Sequence, residues 1–479
     1  MIFASFEFLF LFLPIFFCGY FLTPEKYRNY AILAFSWGFY AWWRVDFLGL
    51  LVTMTTFTYL VARLMERAGR NTVRERYWML FGIIGNLCSL GYFKYANFVV
   101  GNVNAIKTTF GFHPMAWDNI ILPIGLSFYI LQSVSYLLDI RSGTVPVSRS
   151  YLNYAAYKAI FAQLIAGPIV RYAEVAEEMK KRHHSLQQFG TGSAIFMVGF
   201  AMKTALADTL SPLVAVTFKL HDPGFADSWI GAISYTLQLY FDFGGYSLMA
   251  IGLARMIGFH FPPNFNNPYL SGSIQEFWQR WHMTLSRFLR DYLYINLGGN
   301  RQGPVRTYVN LILVMAIGGL WHGSSWNFVI WGLWHGGSLA IHRFWSRLPG
   351  AKPMPYWMGN IITMFVAVLG WVVFRADDLP TALGMYAGMF GLHGFGGISD
   401  TLAWQMTPDQ MWFIPIAIAF VYLPLIRGDA HALLPPAAQP FSATKLGNLC
   451  VTVGPLLGYV LAMILLYSRD AVPFLYFQF

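Results

Sequence analysis

Two histidines stand in the most apolar part of this chain, His322 in Gly319-Leu-Trp-His-Gly323 and His282 in Phe277-Trp-Gln-Arg-Trp-His282. An imidazole with an unperturbed pKa of about 6.5 can take a proton from a hydroxyl or thiol at neutral pH. Acyl transfer from a thioester needs that service, together with donors for the developing oxyanion. Ionisable groups in long hydrophobic runs are costly in lipid, so a functional role is the first reading, although a histidine bonded between helices for structure would look the same. His335 follows His322 by 13 residues. A continuous helix would put the two on nearly opposite faces, so they are not read as one ligand pair, and the glycines between them could break the helix. His342, beside Arg343 at the end of a span, reads as interfacial. Nucleophile-elbow, HExxH and Walker patterns are absent, and Cys18, Cys88 and Cys450 show no CxxC or metal-ligand spacing. The cysteines read as buried small hydrophobes and no metal is expected. No cluster of carboxylates within the membrane points to a proton pump or metal transporter.

The element that must carry His282 is the segment 274–294. Ile274, Phe277, Trp278, Trp281, Leu285, Phe288 and Tyr292 recur at helical spacing, while Glu276, Arg280, Arg287, Arg290 and Asp291 fill other faces. This pattern predicts an amphipathic helix, either lying on the membrane surface with its arginines on lipid phosphates or lining a polar cavity with His282 toward a substrate. His322 closes the apolar run 308–321, where small neighbours permit close helix approach. Trp278, Trp281, Trp321 and Trp326 are expected around the two histidines, to keep water from a reactive thioester.

The rest of the chain says what solvent these elements occupy. Of 479 residues 56% are apolar, 18% aromatic and 11% charged. Ordinary soluble domains carry about 25% charged residues, so this chain cannot cover a water-facing exterior. Disordered, collagen-like and disulfide-rich classes are excluded as well. The formal charge of +10 suits an anionic cytoplasmic membrane face, and there is no soluble basic domain to bind nucleic acid. Apolar stretches along the whole length predict an all-α, polytopic integral membrane protein in a single domain, 1–479, with roughly 11–13 embedded helices. Several stretches fall short of the ~20 residues a span needs, so some should be re-entrant or buried in protein. The segment from Met1 to about Tyr20 lacks a basic n-region and a cleavage site, so it is expected to be retained, with the N-terminus outside and Lys26 and Arg28 inside. Arg63, Arg67, Arg70, Arg74 and Arg76, and Lys180, Lys181 and Arg182, mark cytoplasmic loops; 391–411 reads as external.

At these motifs the sequence resembles the membrane-bound O-acyltransferase superfamily, and within it the membrane subunit of bacterial polysaccharide O-acetylation systems, the alginate O-acetyltransferase type. The likeness extends through Tyr40-Ala-Trp-Trp-Arg-Val-Asp46, Gly91-Tyr-Phe-Lys-Tyr-Ala-Asn97, Leu122-Pro-Ile-Gly-Leu-Ser-Phe-Tyr129, Leu164-Ile-Ala-Gly-Pro168, Tyr240-Phe-Asp-Phe-Gly-Gly-Tyr-Ser247, Arg290-Asp-Tyr-Leu-Tyr294 and Leu297-Gly-Gly-Asn-Arg301. The resemblance implies a family core at about 120–380 built around a central channel, with His322 catalytic and His282 the second polar residue. It also implies an acyl donor entering from the cytoplasm and the acyl group leaving outside. Acetyl-CoA is the donor expected, Arg280, Arg287 and Arg290 being candidates for its phosphates. Expected partners are membrane lipids, an SGNH-type acetyltransferase that is periplasmic or membrane-anchored, and a polysaccharide synthase or export complex at the bacterial inner membrane. Gly244, Leu248 and Gln279 depart from the family pattern at flanking positions. Two other readings stand beside this one: D-alanyl transfer from a carrier-protein thioester, and a polysaccharide transporter or export channel. A third, a mere scaffold, leaves both histidines unexplained.

Overall fold

The computed structural model describes residues 2–350, 352, 354–426, 445–469 and 472–475. Among the described residues every regular element is helical. Four helices among these residues are long and apolar enough to cross a membrane: Val45–Ala68, Leu186–Thr217, Gly303–His322 and Tyr356–Arg375. The chain divides into two compact units, one formed by 1–192 with 253–262 and the other by 193–252 with 263–479.

In the first unit Val45–Ala68 ends at Gly69, whose φ of 80° takes the chain out of the helix. Thr72 then caps Val73–Leu90 by accepting from the Glu75 N–H, while a Glu75 carboxylate oxygen accepts from Asn71 N at 2.6 Å. The buried Glu75 also binds Arg141 at 2.5 Å, which fixes the end of Leu126–Ser142 beside this turn. The apolar stretch at 152–168 does not span. It breaks at Ile160 into Tyr151–Ala159 and Phe161–Leu164, both buried. Nine and four residues reach about 13 and 6 Å, well short of a ~30 Å hydrocarbon core.

The second unit holds the histidines. Pro304–His322 and Trp326–Trp345 form a hairpin joined at Gly323–Ser325. Close approach needs glycine here: a Cβ on Gly319 would lie 2.1 Å from the Phe328 carbonyl oxygen, and one on Gly332 2.3 Å from that of Met315. Tyr356–Arg375 packs on the second arm, and its Gly370 leaves room for the His335 ring.

The segment 274–294 is not one surface helix. Ser273 caps Ile274–Arg280, the chain turns at Trp281–His282, and Met283–Phe288 starts again before a wider π-turn at Leu289–Tyr294. Trp281 and His282 are buried, so apolar spacing alone misjudged a face that is covered by protein. The cysteine reading also changes: Cys18 and Cys88 sit on the outer faces of their helices, while the side chain of Cys450 lies outside the described residues.

The expected absence of a carboxylate cluster is corrected as well. Lys203, within the span Leu186–Thr217, makes ion pairs with Asp208 and, at 3.0 Å, with Asp242 of Phe225–Met256. All three are buried. One ammonium held between two buried carboxylates joins the helices that carry them.

Candidate active site

His282 occupies the left-handed region, with φ 42° and ψ 54°. A non-glycine residue stays there only when its surroundings insist. Here they do: Met283 N donates to the Asn264 carbonyl at 2.8 Å and Asn266 N to the Arg280 carbonyl at 3.0 Å, so the two segments clamp the turn. The Asn264 side-chain oxygen faces His282 Nδ1 at 3.0 Å and also accepts from the Thr284 hydroxyl at 2.8 Å. The amide nitrogen of Asn264 donates to the Ser247 hydroxyl at 3.1 Å. With that amide orientation the oxygen can only accept, so His282 Nδ1 must carry the proton and Nε2 the lone pair.

His322 is the last residue of its helix and is 4% exposed. Its ring centroid lies 6.2 Å from that of His282. Trp321, Trp331 and Phe374 surround it at 5.0, 5.1 and 5.4 Å, and Phe243 meets His282 edge-on at 4.8 Å. Residues 40 apart in sequence are thus brought into one aromatic cluster with little water-facing surface. Two imidazoles side by side in such surroundings can accept a proton and orient a hydroxyl.

Of the tryptophans expected around the histidines, Trp321 is in the cluster and Trp281 packs against Trp371 at 4.8 Å. Trp326 instead is 58% exposed. Trp331 and Trp371, missed in the sequence, take the inner positions because they fall on the covered faces of their helices. Trp278 is half-buried and stands against Trp331 at 5.6 Å.

The three arginines do not share one environment. Arg280 is buried and paired with Glu276 at 2.7 Å, four residues back on the same turn. Arg287 is half-buried, and Arg290 is exposed beside Asp291 at 2.7 Å. His335 is fully buried, stacked near Phe277 at 6.4 Å and 5.0 Å from Trp331. The helix does break between His322 and His335, and Trp331 stands against both rings. Asn264 and Asp242 escaped the sequence reading. Asp242 lay in a quoted motif, and the Lys203 and Asp208 it joins were ionisable residues within an apolar run, the signal already applied to the histidines.

With this geometry in place, known proteins supply the class. Residues 76–376 match the MBOAT, membrane-bound O-acyltransferase family. The chain is 44% identical to the probable alginate O-acetylase AlgI of Azotobacter vinelandii and 41% identical to that of Pseudomonas aeruginosa, with all of each chain covered. It is 38% identical to the peptidoglycan O-acetyltransferase of Helicobacter pylori over 81% of this chain and 79% of that one. The chain belongs to the membrane-bound O-acyltransferase family. It is a polytopic membrane enzyme, an O-acyltransferase.

Proposed function

We propose that this enzyme takes acetyl from acetyl-CoA at the cytoplasmic side of a bacterial inner membrane and passes it outward for O-acetylation of an exopolysaccharide, alginate first among the candidates. The observation that carries the reading is the meeting of His282 and His322 among packed aromatic rings. End-to-end similarity to proteins named as alginate O-acetylases supports the acetyl group and the polymer. His322 acts as general base on the attacking hydroxyl. His282, holding its proton at Nδ1, accepts at Nε2 and so positions a hydroxyl rather than polarising a carbonyl. Arg287 and Arg290 are offered for the CoA phosphates, joined by Arg280 when its pair with Glu276 opens. An SGNH-type partner outside the membrane would deliver the acetyl group to the polymer.

His322→Ala should abolish polymer acetylation while the protein remains expressed and inserted, read as ester content of the secreted polymer. Normal ester content in that variant would sink the reading. Membranes given labelled acetyl-CoA should acquire or transfer label; label moving only from a D-alanyl carrier thioester would favour the D-alanyl alternative. Polymer export that stopped in the His322 variant would favour the transporter.

A further inference from the structure

Behind His322 runs a seam of polar ring atoms that the mechanism so far leaves idle. Trp278, Trp331 and His335 are in mutual contact, with ring centroids 5.6, 5.1 and 5.0 Å apart. The indole nitrogens of both tryptophans and both ring nitrogens of His335 are buried without a hydrogen-bond partner among the described residues. Trp331 is 1% exposed and His335 fully buried. Folded proteins rarely leave such atoms unmet, and a catalytic role is one of the recognised reasons where they do. Trp331 brings the seam to the reaction centre, its ring 5.1 Å from that of His322 and nearly perpendicular to it, at 85°.

The proposed reaction lacks one component. When a hydroxyl attacks a thioester the carbonyl oxygen becomes an oxyanion, and a donor must meet it. His322 is occupied in taking the proton, and His282 presents a lone pair at Nε2. An indole N–H is a donor only and never ionises, so it can wait in an apolar membrane interior without the expense of a buried charge. The geometry points to Trp331 Nε1–H as the donor to the acyl oxygen, an assignment that rests on the acyl-transfer reading above. The acceptor oxygen bonds to the carbonyl carbon as its proton passes to the His322 imidazole. The carbonyl π pair moves onto oxygen, against Trp331. Collapse restores the carbonyl and expels the thiolate, which takes the proton back from the imidazolium. One ester and one thiol result. Trp278 and His335, packed on the indole, hold it in position.

The test uses membranes carrying the full-length chain, with thiol release from acetyl-CoA as the readout. Trp331→Phe keeps the ring and removes the N–H, and kcat should fall about 10²–10³-fold with KM for acetyl-CoA little changed. A kcat within about threefold of wild type would overturn the assignment, being far less than loss of an oxyanion donor costs. Should Trp331→Phe fail to give a monodisperse protein, benzothienylalanine at 331 decides, since it keeps the indole outline with sulfur in place of N–H; full activity there also overturns it. His322→Ala is run alongside. Thiol release surviving in His322→Ala counts against the acyl-transfer reading, whereas loss in His322→Ala with normal Trp331→Phe counts against Trp331 alone. If wild type releases no thiol from acetyl-CoA, the donor is wrong, and the Trp331 comparison is then read from polymer ester content in cells.

Discussion

The side-chain oxygen of Asn264 meets His282 Nδ1, the Thr284 hydroxyl and, at 3.4 Å, the Thr284 N–H. Flipping the amide would set its NH2 against an N–H that can only donate, so the orientation, and with it the tautomer of His282, is fixed by the backbone. Asn264→Leu removes that control and frees the imidazole to rotate or change tautomer. On the proposed mechanism, misplacing His282 should cost about 10²-fold in rate, so acetyl transfer should drop by that order while the protein still inserts. Equal rates for Asn264→Leu and wild type, at matched expression, would show that the bond is ornamental. His282 and His322 stood out in the sequence as candidates because ionisable groups are rare there and the motif strings singled them out. Asn264 could not, since an asparagine 18 residues upstream of His282 carries no local sign of its partner. Trp326 and Trp331 show the same limit from the other side: both are tryptophans on one apolar helix, and only the packing of its neighbours decides which is covered.

At the scale of elements, the Lys203 cluster ties three parts of the second unit together. Lys203 bridges to Asp208 and Asp242, and the other oxygen of Asp242 accepts from Leu475 N at 2.9 Å. The adjoining Phe474 stacks on Tyr246 at 4.4 Å and lies 5.8 Å from Phe243, the ring that abuts His282. Removing one partner of a buried pair leaves an uncompensated charge, at a cost of about 3–5 kcal/mol. Lys203→Met should therefore lower the melting midpoint of the detergent-solubilised protein markedly. Lys203→Met combined with Asp208→Leu should recover part of the loss, because one stranded carboxylate goes with its partner. If the double variant is no better than the single, the lysine acts otherwise than by neutralising these carboxylates. Helical class and membrane character were readable from composition, because both depend on averages over many residues. The broken helix at His282 was not, because its turn is held by pairing with 264–266, a contact between distant parts of the chain.

For the molecule as a whole, the formal charge of +10 gains meaning from where the arginines gather. Arg63, Arg67, Arg70, Arg74 and Arg76 cluster where Val45–Ala68 ends and Val73–Leu90 begins, and Arg141 joins them through Glu75. Arg70 also donates to the Ser142 carbonyl at 3.2 Å, so three helix ends of the first unit meet on one side. At the opposite end of Val45–Ala68, Arg44 is neutralised by Asp46 at 2.5 Å. The helix has 24 residues and is about 36 Å long, enough to put these ends on different sides of a ~30 Å core. By the positive-inside rule the arginine end is expected on the cytoplasmic side. Thiol labelling checks this directly, once the three native cysteines are replaced by serine; Cys18 and Cys88 would otherwise react from their exposed positions. Val73 is 87% exposed beside the arginines and Trp42 59% exposed at the other end. Val73→Cys should react with a membrane-impermeant maleimide in inverted vesicles but not in intact spheroplasts, and Trp42→Cys should do the reverse. The opposite pattern would mean that the unit is inserted against its charge, and that some stronger determinant than these arginines sets its orientation.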